Sequence, residues 1–509
     1  MTHRSTDIRH AGSAITLVLV TLGLLVVLAV LLVWLGGGFG DKVSRRELVV
    51  YCAAGLKPPV EETARRYERE FGVPVRLQYA SSGALLNQIE VDPRGDLYIP
   101  AADDPFLRIG REKGMIAEII PLAQFRLVIA TRPGNPKNIR RLGDLLRDDV
   151  GFAIANEQAA VGKLTKSLLT RSGHWETIKG RAKVFKPTVT EVALDVKVGV
   201  GVDAGFVWDS TTKQFGLDLV MVPELGDGTS NISACVLANC TEPSAALRFA
   251  RYLAAPERGQ QAFAKHHYQP RQGDPWVVTP SIRLFSGGVN REAIKNTLAS
   301  FEQREGCRIT SVYHGCGTLV GMMKTGQRPD AYFACDVSYI REVNDLFLDA
   351  TDISKTDMVI LVRKGNPKNI ARLEDLAMPG LEVGLADERL SALGALSRRL
   401  LVELGLYEAV LTNRRATTPT ADLLVTQLIG GDPLDAVVVY EANCSYVGDQ
   451  AEIVRIDHPL ASAVQPFAIA TQTKYPQLTA RLLDALTTPA SRRRFKSVGF
   501  RWLADHQEP

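Results

Sequence analysis

The chain has 509 residues, 46% hydrophobic and 23% charged, with a formal net charge of +4. That balance is ordinary for a globular protein and excludes a disordered or collagen-like chain. The charge is small and spread out, and no Lys/Arg cluster is interleaved with aromatics, which argues against a nucleic-acid-binding surface.

In chain order the first predicted element is an apolar run. No charged residue occurs from Ala11 to Gly40, and residues 14–35 are dominated by Leu, Val, Ile and Ala. As a helix these residues would reach roughly 33 Å, enough to cross a bilayer. A signal-peptide core runs only about 7–15 residues and ends in a small-x-small cleavage site. The stretch from Trp34 to Gly40 offers no such site, so an uncleaved signal anchor is expected, with Trp34 at the interface. Arg4 and Arg9 favour a cytoplasmic N-terminus, while Lys42, Arg45 and Arg46 on the other flank pull against it. The expectation is a cytoplasmic tail over 1–12, a transmembrane anchor over 13–36 and a linker over 37–46. Such a protein sits single-pass in the inner (plasma) membrane, its bulk on the periplasmic or extracellular side.

Past the anchor, Glu47-Leu-Val-Val-Tyr-Cys52 reads as a short strand that enters a small-residue loop. A helix should follow, with Pro58 and Pro59 at its start, Glu61 and Glu62 at its positive end, and a stop at Phe71-Gly72. Val75-Arg-Leu-Gln-Tyr79 is a second strand, a Gly/Ser turn opens a second helix, and Asp96-Leu-Tyr-Ile99 is a third strand. This alternation predicts an open parallel α/β sheet. Phe125-Arg-Leu-Val-Ile-Ala130 should carry the chain into a second α/β lobe, from Val150-Gly-Phe-Ala-Ile-Ala155 to the strand Asp203-Ala-Gly-Phe-Val-Trp208.

Beyond a Pro-bearing linker over 271–280, the same order returns. Residues 132–145 match 363–376 at 11 of 14 positions, an offset of 363 − 132 = 231. Tyr79-Ala-Ser-Ser-Gly83 falls on Tyr313-His-Gly-Cys-Gly317 at 313 − 79 = 234, and Asp203-Ala-Gly-Phe-Val-Trp-Asp209 on Asp435-Ala-Val-Val-Val-Tyr-Glu441 at 435 − 203 = 232. A period this long is a duplicated domain rather than a solenoid repeat. Two tandem bilobed domains are expected, over 47–270 and 281–503.

Seven cysteines occur without a CxxC pair, so no zinc-ribbon or thioredoxin-type motif is present. Cys235 and Cys240 are either a local disulfide or small buried residues. Cys316 and Cys335 follow adjacent strand ends, where a thiol site, a disulfide or, with His314, a soft-metal site are alternatives. The sequence has no G-x-S-x-G, H-E-x-x-H or Walker A loop, and His266-His267 reads as surface. Neither an enzyme nor a cofactor is expected.

The loops after the first two strands carry the chemistry. Ala53-Ala54-Gly55 and Ala80-Ser81-Ser82-Gly83 each lead into a helix; their counterparts are Gly287-Gly288-Val289 and Gly315-Cys316-Gly317. Small residues admit a ligand to the free N–H groups of a helix N-terminus, and Ser hydroxyls add donors without charge. That suits a small ionised oxyanion. Taken singly, the same residues are ordinary N-caps and turn formers.

These loops, with Gly134-Asn-Pro-Lys-Asn-Ile139 and the Asp-Ala-Gly-Phe-Val-aromatic strand, resemble the molybdate/tungstate-binding family of type II periplasmic solute-binding proteins. The resemblance covers both repeats. It implies ABC-type import, with an ABC permease as partner, and an uncharged site made of two Ser hydroxyls, backbone amides and a Tyr hydroxyl. Carried over, the first Ser position falls at Gly55 and at Val289, where the hydroxyl is lost, with Ser286 nearby as a substitute. The second falls in Ser81-Ser82 and at Gly315-Cys316. Amide donors fall near Val161 and Val189, and near Leu393 and Pro419; the Tyr falls at Trp208 and Tyr440. The reading that follows is a membrane-anchored extracytoplasmic binding protein for molybdate, tungstate or sulfate, with the first copy the oxyanion binder. The alternative is a sensor or scaffold whose domains no longer serve transport.

Overall fold

The computed structural model describes residues 46–226 and 228–504, so the apolar 14–35 run lies outside the described residues. Among the described residues no helix is long and apolar enough to cross a membrane.

Ten strands build the first domain: β1 Leu48–Ala53, β2 Val75–Ala80, β3 Leu97–Ile99, β4 Ile116–Thr131, β5 Phe152–Ala155, β6 Val184–Lys186, β7 Ala204–Trp208, β8 Asp218–Val220, β9 Thr229–Leu237 and β10 Gln269–Pro270. Their order is β2-β1-β3-β9-β4-β7-β5-β6, with β8 and β10 also on β4. The strand β1 is almost wholly buried, as expected of a parallel strand covered on both faces. The helix Lys57–Phe71 packs on β2, starting on Pro58 and Pro59 and closing at Gly72, whose φ of 66° is left-handed. This helix begins at Lys57, so Glu61 and Glu62 fall in its second turn rather than at its positive end. They act instead through ion pairs, Glu61 with Arg65 at 2.7 Å and Glu62 with Lys265 at 2.9 Å.

The expected purely parallel sheet is a mixed one. Parallel pairings join β1 to β2 and β3, but β9 returns antiparallel between β3 and β4. The long β4 joins the lobes: residues 116–126 pair with β9, and residues 127–131 with β7. The one strand β4 thus belongs to both lobes, which is a hinge geometry.

The second domain repeats this in β11 Ser281–Gly287, β12 Arg308–His314, β13 Ala331–Phe333, β14 Thr351–Arg363, β15 Val383–Ala386, β16 Arg414–Thr418, β17 Ala436–Tyr440, β18 Ala451–Arg455, β19 Ser462–Ile469 and β20 Arg501–Trp502. The order is β12-β11-β13-β19-β14-β17-β15-β16, with β18 and β20 on β14.

The repeated motifs explain themselves locally. Asn135 and Asn366 sit at φ 44° and 42°, each clasping a residue four further on: Ile139 N and Ile370 N both donate to the Asn Oδ1 at 3.0 Å. The motif Asp203 accepts from Gly151 N at 3.0 Å, as Asp435 does from Glu382 N at 3.0 Å. These residues hold the fold.

The linker is docked rather than loose. Asp274 accepts from Gln477 N and Leu478 N at 2.9 and 2.8 Å, capping the helix Pro476–Leu486 of the second domain. Trp276 packs edge-on against Tyr252 of the first domain, ring centroids 4.9 Å apart. Within the second domain Glu305 binds Arg481 bidentately at 2.6 and 2.9 Å, and across the domain boundary its carbonyl accepts from Arg251 of the first domain at 3.2 Å.

Candidate functional site

Between the two lobes of the first domain lies a small cavity of about 20 Å³, little more than one ordered water requires. Gly55, Ser81, Ser82, Val161, Val189 and Trp208 all line it, and no charged side chain does. These six residues come from five separate segments of the chain; the fold brings them to one point.

Three helix N-termini open on this cavity. Ser81 and Ser82 begin the helix Ser82–Val91, Ala159 to Val161 begin Ala160–Arg171, and Thr188 and Val189 begin Val189–Val198. The first comes from one lobe and the other two from its partner. Each presents orphan backbone N–H groups and the positive end of a helix dipole. An anion held here meets donors from both lobes and no competing negative charge.

The polar side chains divide between structural and free. Ser82 Oγ accepts from Ala101 N at 3.0 Å, leaving its own proton to donate. Thr188 caps its helix by accepting from Glu191 N at 3.3 Å. Ser81, also an N-cap, makes no side-chain cap bond. Trp208 stacks on Phe125 at 4.0 Å, and its buried indole N–H has no protein partner, which leaves a donor at the cavity wall. Tyr268 fixes Gly55 by donating to its carbonyl.

The lobes are closed on each other. Gly83 N donates to Gln158 O across the cleft at 2.9 Å. A Cβ at Gly83 would lie 2.9 Å from that same carbonyl, and one at Gly55 would lie 3.0 Å from Val189 Cγ1. Glycine at both positions permits this approach.

The second cleft is closed differently. A Cβ at Gly315, the counterpart of Ser81, would lie 2.2 Å from Leu390 O and 2.5 Å from Pro419 O. Carbonyl oxygens therefore face the position where the first cleft has a hydroxyl. Ser286 stands in β11 and donates to its neighbour Gly287 O at 3.2 Å, so its hydroxyl is used within the strand end. Val289 is buried, and the Tyr440 hydroxyl is buried without a protein partner. Leu393 holds the same place in the helix Ala392–Glu403 as Val161 in its own.

Pro419 is corrected. The N-caps Thr188 and Thr420 are equivalent, so Val189 corresponds to Ala421, which has an amide, and Pro419 corresponds to Pro187. No donor is lost to proline. What sequence reading missed is charge. At the offset of 232 Thr190 becomes Asp422, and at 234 Ala102 becomes Asp336. Asp422 Oδ2 would lie 3.3 Å from a Cβ on Gly288, and Asn443 donates to its other oxygen at 2.6 Å. Burial holds the Asp422 carboxyl above its ordinary range. Burial, then Cys335 and Asp336, push the Tyr440 hydroxyl well up. The Asp422 carboxyl at this cleft opposes an anion, whereas Asp336 caps the helix Val337–Arg341 by accepting from Ser338 N at 3.0 Å. The offsets alone carried the signal.

Cys316 and Cys335 meet, with Sγ atoms 2.7 Å apart, whereas Cys240 Sγ turns to Asp96 Oδ1 at 3.3 Å, away from Cys235. His314 is exposed at the end of β12. Among the described residues no three His, Cys, Asp or Glu side chains converge as a metal site.

The profile of the bacterial extracellular solute-binding proteins matches residues 48–269 and again 282–501. The chain belongs to this family. It is a tandem solute-binding protein and not an enzyme. Similar proteins include the molybdate-binding protein ModA of Mycobacterium bovis, 26% identical over 226 residues, which span 43% of this chain and 84% of that protein. ModA of Mycobacterium tuberculosis strain H37Rv matches equally. Among solved structures, the periplasmic molybdate-binding protein of Azotobacter vinelandii is 18% identical, with a TM-score of 0.39, over 44% of this chain and all of that one. The sulfate-binding protein SubI of Mycobacterium tuberculosis is 17% identical, with a TM-score of 0.38, over 44% and 87%.

Proposed function

We propose that this solute-binding protein captures a small tetrahedral oxyanion of the molybdate, tungstate or sulfate class in its first domain. It would then deliver that ion to an ABC-type permease while tethered to the membrane by the 14–35 run. The observation that carries the reading is the uncharged cavity onto which three helix N-termini, the free Ser81 hydroxyl and the free Trp208 indole N–H open together. Neutral donors suit a fully ionised oxyanion, since nothing at the wall requires a proton on the ligand. Closure would bring the donors of both lobes onto the ion, so ligand would favour the closed form. The molybdate-binding relatives support the same class. A thermal-shift panel of molybdate, tungstate, sulfate and phosphate tests it. A preferred oxyanion at 100 times its dissociation constant should stabilise by about 2.7 kcal/mol. No shift with any of them refutes the class, and release of the full chain from membranes by alkaline washing refutes the tether.

A further inference from the structure

The second cleft differs from the first at three positions that belong together. Ser82 Oγ accepts from Ala101 N at 3.0 Å, and Cys316 Sγ accepts from Cys335 N at 3.0 Å, so Cys316 stands for Ser82 and Cys335 for Ala101. The third position is Ala53, whose counterpart is Gly287. A Cβ on Gly287 would lie 2.1 Å from Cys335 Sγ and 3.3 Å from Cys316 Sγ. The methyl group present in the first copy is therefore missing where the second copy places its sulfurs. Ala-Ser-Ala in one copy is Gly-Cys-Cys in the other, with both sulfurs buried under the cleft and 2.7 Å apart.

We propose that Cys316 and Cys335 are a disulfide-forming site at the floor of the second cleft, oxidised by thiol–disulfide exchange with a disulfide donor of the extracytoplasmic space. The exchange balances. Cys316 as thiolate attacks one sulfur of the donor, forming a mixed disulfide and releasing the first donor thiolate, which takes up a proton. Cys335, on losing its proton, attacks Cys316 Sγ and releases the second donor thiol. Two cysteine thiols are oxidised and one donor disulfide is reduced to two thiols. The order of attack follows the surroundings. Burial acts to raise the Cys316 thiol, but the adjoining Cys335 thiol, the nearby Tyr332 hydroxyl and the Cys335 amide, which donates to Cys316 Sγ at 3.0 Å, bring it below its ordinary value. The other five cysteines are held up by burial and meet no second sulfur among the described residues.

The donor reaches the pair when the lobes part, because Gly315 and Gly317 otherwise lie against the carbonyls of Leu390 and Arg389. The product ties the end of β13 to the N-terminus of the helix Cys316–Lys324. It also removes the thiolate, so the sulfurs at the floor of this cleft become fixed and carry no charge. This inference does not depend on which ligand the first cleft takes.

The test incubates the full chain with oxidised glutathione, denatures it in acid, alkylates free thiols and maps the peptides by mass spectrometry. A single internal crosslink between Cys316 and Cys335 is expected, with the other five cysteines alkylated. Cys335→Ala, which restores the residue of the first copy, should fold and leave Cys316 alkylated or carrying glutathione. Gly287→Ala should abolish the crosslink or the fold, and Gly287→Ala with Cys335→Ala should restore folding. Recovery of both Cys316 and Cys335 as alkylated free thiols after oxidation would overturn the proposal, as would an unimpaired crosslink in Gly287→Ala.

Discussion

Ser81 and Thr188 are both N-caps of helices that open on the first cavity, yet they are used differently, and that difference can be measured. Thr188 Oγ1 accepts from Glu191 N at 3.3 Å and donates to Glu191 Oε2 at 2.7 Å. Ser81 makes no such bond. Losing a capping side chain costs about 1 kcal/mol, which in a domain of this size lowers Tm by about 2–4 °C. Thr188→Ala should show that loss in a thermal melt. Ser81→Ala should show a smaller one, because the capping bond it would remove does not exist. Affinity should reverse the ranking. A hydroxyl donating to a desolvated oxyanion contributes about 1.5–3 kcal/mol, so Ser81→Ala should weaken molybdate by about 10- to 150-fold in calorimetry. If Ser81→Ala melts as low as Thr188→Ala and binds molybdate as the parent does, Ser81 is only a cap and the assignment of the site is wrong.

Three further outcomes follow from the packing. Glu305→Ala removes the carboxylate from Arg481, whose side chain is 7% exposed beside a Glu305 side chain at 2%; breaking such a buried pair costs about 3–5 kcal/mol, and a loss below about 1 kcal/mol in urea denaturation would contradict its role. Gly83→Ala puts a Cβ 2.9 Å from Gln158 O in the facing lobe. Overpacking of about 1–3 kcal/mol should fall on the closed form alone, so molybdate affinity should drop, and unchanged affinity would show that closure does not need this contact. Burial raises the folded-state carboxyl of Asp422 above its unfolded value, so its charged form is the disfavoured one. The penalty is absent below the ordinary Asp value and grows as pH rises through the folded value. Asp422→Asn should therefore be more stable than the parent in urea at neutral pH, the gain fading toward acid; no gain at neutral pH counts against it.

Much of the fold is legible in the chain because strand, helix and turn signals recur in the same order twice. The small-residue loops after β1 and β2, and the Gly72 stop, are local chemistry and read directly. The mixed sheet is not legible from the elements singled out, since β9 and β19 take their places between strands distant in sequence. The six first-cleft residues were reached through resemblance and small-residue patterns, and all of them border one cavity. The second cleft was harder. Pro419 was misplaced because residue spacing does not mark the N-cap, which is set by Thr420. Asp422 carries no motif, and its meaning comes only from the cleft it borders. The Arg251–Glu305–Arg481 cluster is likewise invisible, because Glu305 and Arg481 lie far apart in sequence within the second domain and Arg251 reaches Glu305 only when the two domains dock.

Titration of molybdate into the full chain by calorimetry is the most direct test of a single oxyanion cleft in the first domain. The prediction is one molar equivalent bound, with binding strongly weakened in Ser81→Ala/Trp208→Phe and unaltered in Tyr440→Phe. Two equivalents, or binding that survives Ser81→Ala/Trp208→Phe and is lost in Tyr440→Phe, would place the site in the other domain and contradict the account.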